Sequence, residues 1–469
     1  MTEKNTLKRG ILTILVTNII NMVFKVFIYL FQPKFLSIET YAMIQTFTLY
    51  FSYAGLLHFG YVDGMYLKLG GKYIYSLNKK SLINDASTLR GVELIVVVIL
   101  LISSLIFKNT ILFFVSIALL PSNLTAYYRM MFQATGEFNK YGRIMNFNTL
   151  LLFIYNFILI VVFKIDNYIA FLTCEVLVYF LIWLFLEYNF RKLVGGAIGN
   201  PIAIKRQYLI DNVRNGLPLT LGNLASNFFS SLDRWFVKIL LSTSDFAYYS
   251  FAVSVETFLN VAITPVTITL YNYFCQHGES GKLNKIKNMV IILAVFVVAA
   301  VFPAKFILEH FMQNYFVSFD VLLILFAAKI FSVIIQGVYV NMYKATRRQN
   351  IYLKKLIICI VIGAILNILA YFLTRANYGF SIATFITIVI WFIMCKQDFK
   401  QIVFRWREIS FLFFMAACLV LCGKLLSSII GLIIYIIVAL IGSRIIFPTE
   451  LKYIIHEFFG KLFSKIKLK

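Results

Sequence analysis

Charged side chains recur inside stretches that are otherwise apolar enough to lie in a bilayer. The segment NLASNFFSSLDRWFVKILLS, opening at Asn223, carries Asp233, Arg234 and Lys238. A charge at the centre of a membrane helix costs roughly 2.5–3.5 kcal/mol on insertion scales, so a retained one marks a ligand, a partner or a pathway. Asn223, Asn227, Ser230, Arg234 and Lys238 recur at helical spacing and share one face. Asn18, Asn21 and Lys25 do the same in the first apolar run, continued by Tyr29 and Gln32. Such stripes suit an anionic, hydroxyl-rich head group: guanidinium can hold phosphate through two parallel bonds, and ammonium acts as a point charge. The competing readings stay open at this stage. Asn and Ser tie membrane helices together, Asp233 could pair with Arg234 although adjacent helix positions point about 100° apart, and Arg234 with Lys238 could snorkel to the outer interface.

A second set of groups could carry protons. Glu175 and Glu256 are mid-helix carboxylates with no evident local partner. Each either binds a proton during turnover or holds helices together as a hydrogen-bonded carboxyl. His58 reads as a satisfied polar contact or a proton relay, and Lys329 adds a cation deep in another apolar run.

The elements that must position these groups are membrane helices. The 469 residues are 61% hydrophobic and 14% charged, which defines an all-α polytopic membrane protein. Runs of about 18–25 apolar residues predict fourteen spans: 11–32, 42–66, 89–107, 110–131, 144–163, 167–189, 213–241, 246–272, 288–308, 317–342, 354–373, 378–397, 409–426 and 428–447. With the N-terminus inside, the inner connections and helix ends hold 34 of the 44 basic residues and the outer connections six. That bias places both termini in the cytoplasm and accounts for most of the +24 net charge, which leaves no case for nucleic-acid binding.

The chain also repeats itself weakly. A shift of 205 residues lays Arg9 on Arg214, Asn18 on Asn223, Phe31 on Phe236, Leu36-Ser37 on Leu241-Ser242 and Tyr66 on Tyr271. Six helices per copy is an even number, so both copies run the same way, related by an axis along the membrane normal. The expected organisation is an N-terminal lobe at 1–190, a glycine-containing link at 191–212, a second lobe at 213–400, an extra helix pair at 401–447 and a basic amphipathic tail at 448–469. The tail should lie on an anionic inner leaflet.

Catalytic patterns are missing. The chain has no HExxH, GxSxG or GxxxxGK[ST] motif, no metal-ligand spacing and no connection long enough for a catalytic domain, so no enzyme, metal or cofactor is expected. Its six cysteines are scattered through apolar segments.

The stretch NGLPLTLGNLASNFFSSLDRWFVKILLSTSDFAYYSFA resembles the seventh-to-eighth helix region of Wzx-type polysaccharide repeat-unit flippases. These are members of the multidrug/oligosaccharidyl-lipid/polysaccharide exporter superfamily. The resemblance rests on Gly216-Leu217-Pro218, Asp233-Arg234 and Phe246-Ala247-Tyr248-Tyr249, and on the basic start and Leu36–Tyr41 segment of the first helix. It implies two six-helix lobes around a central cavity lined by the first and seventh helices. It further implies a polyprenyl-diphosphate-linked oligosaccharide as cargo, carried from inner to outer leaflet. Polysaccharide polymerase and glycosyltransferases would be partners. Lys25, Arg234, Lys238, Asn18, Asn21, Asn223 and Asn227 would meet the substrate, while Asp233, Glu175, Glu256, Lys329 and His58 would be coupling or cavity groups. Two other readings compete: a cation-coupled multidrug exporter of the same superfamily, and a non-transporting scaffold of the assembly machinery.

Overall fold

The described parts of the fourteen apolar runs are helical in the computed structural model, which describes residues 20–195, 202–277 and 282–456; no strand occurs among them. The elements are α1 (20–35), α2 (Ile38–Phe51), α3 (Tyr61–Leu69), α4 (Lys79–Ile106), α5 (Thr110–Ala134), α6 (Phe138–Phe157), α7 (Tyr168–Leu193), α8 (Arg206–Leu240) and α9 (Thr243–Thr257). They continue as α10 (Asn260–His277), α11 (Leu283–Val297), α12 (Val301–Phe311), α13 (Phe319–Ile334), α14 (Asn341–Ala345), α15 (Gln349–Thr374), α16 (Asn377–Asp398), α17 (Trp406–Leu425) and α18 (Ser428–Ile446). Among the described residues, ten helical segments are long and apolar enough to cross a membrane, or eleven when α9 and α10, bent by 47° at their junction, count as one. The remaining three expected spans are α1, the α2–α3 pair and the polar-striped α8. Of the basic tail, residues 448–456 are helical and the rest lies outside the described residues.

The second expected span is broken, not continuous. Phe59 and Gly60 take positive φ values of 50° and 83° and turn the chain between α2 and α3. Within hydrocarbon the backbone groups freed by a break need partners, and polar side chains supply them. Asn227 Nδ2 donates to the Ser52 carbonyl at 2.8 Å, and Asn123 Nδ2 to that of Ala54 at 3.2 Å. His58 Nδ1 accepts the Gly60 N–H at 3.1 Å. The eighth span breaks at the matching place, between α9 and α10. The repeat extends to capping: Ser37 caps α2 and Ser242 caps α9, each accepting an N–H three residues on, at 3.2 and 3.1 Å.

Two compact units result, Met1–Ser231 and Leu232–Lys469. The division falls inside α8, and the reason lies in glycines. A Cβ on Gly216 would sit 1.9 Å from the Gly60 carbonyl oxygen, and one on Gly64 would sit 1.9 Å from that of Asn212. Gly60 and Gly64, one turn apart, let the α3 backbone lie directly on that of α8, so the first half of α8 belongs with the N-terminal unit. Asp63 on α3 strengthens the contact by accepting the Thr220 hydroxyl.

Each unit has one central helix. In the first, α5 packs on α2, α3, α4, α6 and α7; in the second, α13 packs on α9, α11, α16 and α17. These are the fourth spans of the two repeat copies. The extra pair is fastened to the second unit by polar bonds. Lys287 pairs with Glu408, Lys305 Nζ donates to the last-turn carbonyls of Gly423 and Leu426 at 2.8 and 2.7 Å, and the Tyr435 hydroxyl donates to Val295 O at 3.0 Å.

Candidate functional site

The Asp233-Arg234 dipeptide does not form an ion pair. Asp233 is buried, and its carboxylate accepts the Tyr249 hydroxyl at 2.6 Å, the Thr384 hydroxyl at 3.1 Å and the Arg234 backbone N–H at 2.7 Å. The acid thus ties α8 to α9 and α16, with three hydrogen bonds on its two oxygens. Arg234 is left half-buried, its Nε unbonded, and no carboxylate lies within ion-pair distance of it among the described residues. Lys238, one turn further on, sits 5.0 Å over the Phe246 ring in a cation–π contact and makes no ion pair among the described residues.

The second unit also brings together two groups that sequence kept apart. Lys329 Nζ lies 2.6 Å from Glu256 Oε1, and the lysine is buried. Glu256 has no local partner in the chain, and the one it finds is distant: α9 and α13 pack together and bring residues 73 positions apart into contact. No local spacing carries that information.

In the N-terminal unit the α1 stripe divides. Asn21 is buried with neither amide atom hydrogen-bonded among the described residues, and Gln32 is buried and donates to Asn156 at 2.8 Å. Lys25, between them, is exposed and makes no ion pair among the described residues. Asn18 lies outside the described residues. On α8, Asn223 is exposed, whereas Asn227 is committed to the α2 break. Glu175 has no cation in ion-pair range among the described residues: the Tyr179 and Tyr155 hydroxyls donate to it at 3.0 and 3.3 Å.

Sequence reading passed over Glu93, whose side chain is fully buried on α4. Its Oε1 accepts from Asn123 at 2.9 Å and its Oε2 has no partner. It also passed over the cluster in which Arg90 grips both Glu187 oxygens at 2.7 and 2.8 Å, with Tyr128 and Arg191 on the same carboxylate. Both groups stand near the ends of apolar runs, where charge normally signals only a boundary. No cluster of metal-ligating side chains occurs among the described residues.

No family model matches the chain, and no curated protein sequence does. Solved structures do. The chain is similar to the lipid II flippase MurJ in an inward closed conformation, at a TM-score of 0.67 and 14% identity over 93% of this chain and 99% of that one. It is also similar to an inward-facing multidrug resistance MATE family transporter of the MOP superfamily, at 0.58 and 13% identity over 81% and 95%. The chain has the fold of these two structures, and its long apolar helices make it a multi-pass membrane protein. A flippase and a multidrug transporter share this fold, so the fold assigns no cargo to this chain.

Proposed function

We propose that the protein is a flippase for polyprenyl-diphosphate-linked oligosaccharide, moving its cargo from the inner to the outer leaflet of a bacterial cytoplasmic membrane by alternating access. Both termini are cytoplasmic, two six-helix lobes do the work, and polysaccharide polymerase and glycosyltransferases act beside it. The observation that carries this reading is Arg234. Its sequence neighbour Asp233 is occupied by Tyr249 and Thr384, which leaves a half-buried guanidinium with unspent donors. A cation kept at this cost is compensated when an anion arrives, and diphosphate matches the guanidinium fork. Lys25 and Lys238 likewise lack acidic partners among the described residues, whereas Lys329 is neutralised by Glu256.

The multidrug-exporter reading draws on one observation, Glu175, whose carboxyl is held by two tyrosines and could exchange a proton or meet a cationic drug. Outer-leaflet delivery of lipid-linked sugar, measured at matched protein levels, tests the choice. Arg234→Ala and Lys25→Ala should each reduce delivery at least tenfold, and Arg234→Lys should remain impaired although charge is kept. Delivery at the normal rate by both alanine variants, with drug efflux lost in Glu175→Gln, would replace the flippase by the exporter.

A further inference from the structure

The N-terminal unit contains a crevice of about 770 Å³ between α1, α6 and α7 that none of the preceding chemistry uses. Its lining changes character along its length. On α6, Lys140, Arg143, Phe147 and Leu150 follow at spacings of three and four, so one face runs from basic to apolar over seven residues, or about 10 Å of helix from Arg143 to Leu150. On α7, which is antiparallel, Phe185, Asn189 and Lys192 form the matching gradient, and Phe24 of α1 closes the apolar end.

The basic end is short of anions. Lys140 has a salt bridge to Glu137 at 3.3 Å, but Arg143 and Lys192 are exposed and have no acidic partner among the described residues. Asn146, on the same wall, has a buried Oδ1 with no hydrogen bond. Phe147 and Phe185 expose 41% and 51% of their surface, so the apolar part is open and unfilled. Cations at one end and open hydrocarbon about two helical turns away match a molecule that is anionic at one end and a hydrocarbon chain at the other. Basic pockets between transmembrane helices on the cytoplasmic side bind anionic lipid head groups in this way.

We propose that this crevice is a binding site for an anionic glycerophospholipid of the inner leaflet, its phosphate held by Arg143 and Lys192 and one acyl chain laid along Phe147, Leu150 and Phe185. The leaflet follows from the orientation proposed above; the site does not depend on the transported cargo. The lipid would be a structural ligand of the N-terminal unit, distinct from any substrate at Arg234.

The full-length protein, purified in detergent, is tested for retention of phosphatidylglycerol against phosphatidylcholine by native mass spectrometry. Wild type should retain phosphatidylglycerol selectively. At about 1 kcal/mol per basic residue near a phosphate, Arg143→Ala with Lys192→Ala should weaken retention roughly thirty-fold. Lys72→Ala with Lys80→Ala, which removes equal charge from the same side of the membrane, should change it less than twofold. Leu150→Trp, which fills the apolar part without touching charge, should also lower retention, and its own thermal unfolding shows whether it folds. Equal retention of both lipids, or equal loss in the control pair, would overturn the site. Retention of an isoprenoid diphosphate but not of phosphatidylglycerol would overturn the proposed occupant.

Discussion

The two units treat their deep carboxyl groups differently. In the second unit, acids are neutralised by lysines: Glu256 by the buried Lys329 at 2.6 Å, Glu408 by the buried Lys287, and Asp398 by the half-buried Lys355 at 2.7 Å. Asp233 is the exception, held by hydroxyls beside an unpaired arginine. In the first unit, Glu187 and Asp85 are likewise paired, with Arg90 at 2.7 Å and Lys68 at 3.5 Å, but Glu175 and Glu93 are held by tyrosine hydroxyls and by an asparagine amide, with no cation in ion-pair range among the described residues. An ion pair in low dielectric resists protonation because losing one charge strands the other. A carboxyl held by neutral donors can gain a proton without stranding anything. On the function proposed above, the ion-paired acids of both units anchor helices, and the two neutrally held carboxyls, Glu175 and Glu93, are the candidates for proton exchange.

The comparison breaks most visibly at Lys329. Lys329→Ala strands Glu256, a lesion of about 3–5 kcal/mol for a buried pair. The variant should fail to accumulate, and adding Glu256→Gln should restore much of its thermal stability in detergent. A single variant as stable as wild type would mean that the pair anchors nothing. Glu175→Gln should be milder, about 1 kcal/mol, because the amide oxygen still accepts from the tyrosines. Its effect should fall on the dependence of transport on the proton gradient. Unchanged gradient dependence would remove proton exchange from the first unit's role. The smallest effect is expected at Glu93: the amide oxygen of a glutamine can still accept from Asn123, so Glu93→Gln should shift stability by less than about 1 kcal/mol, the scale of a single hydrogen bond. A loss on the scale of Lys329→Ala would show that Glu93 is ionised and would erase the contrast between the units.

Apolar run length made the helices legible, since a bilayer demands about 20 residues per crossing and little else. The breaks in the second and eighth spans were not. The first of them depends on Asn123 and Asn227 arriving from other helices to serve freed carbonyls, and in sequence those asparagines look like any polar residue in a span. The same limit explains the site. The angular argument at Asp233-Arg234 anticipated poor pairing, because neighbours on one helix are fixed by its geometry. The Lys329–Glu256 pair depends on packing between helices and left no trace in spacing. Glu93 was hidden by its position, three residues from Arg90, where a charge reads as the end of a span.

The glycine contact between α3 and α8 has a consequence in time. Gly64 and Gly216 are about 150 residues apart in the chain, and a ribosome adding about 5–20 residues per second needs roughly 10–30 s to travel from one to the other. Through that interval α3 is already made while its docking face has no partner, and no side chain at Gly60 or Gly64 can cover the backbone in the meantime. Biogenesis of the N-terminal unit is therefore completed by α8, and a nascent chain halted anywhere before Gly216 carries the same open groove, whatever the cause of the halt.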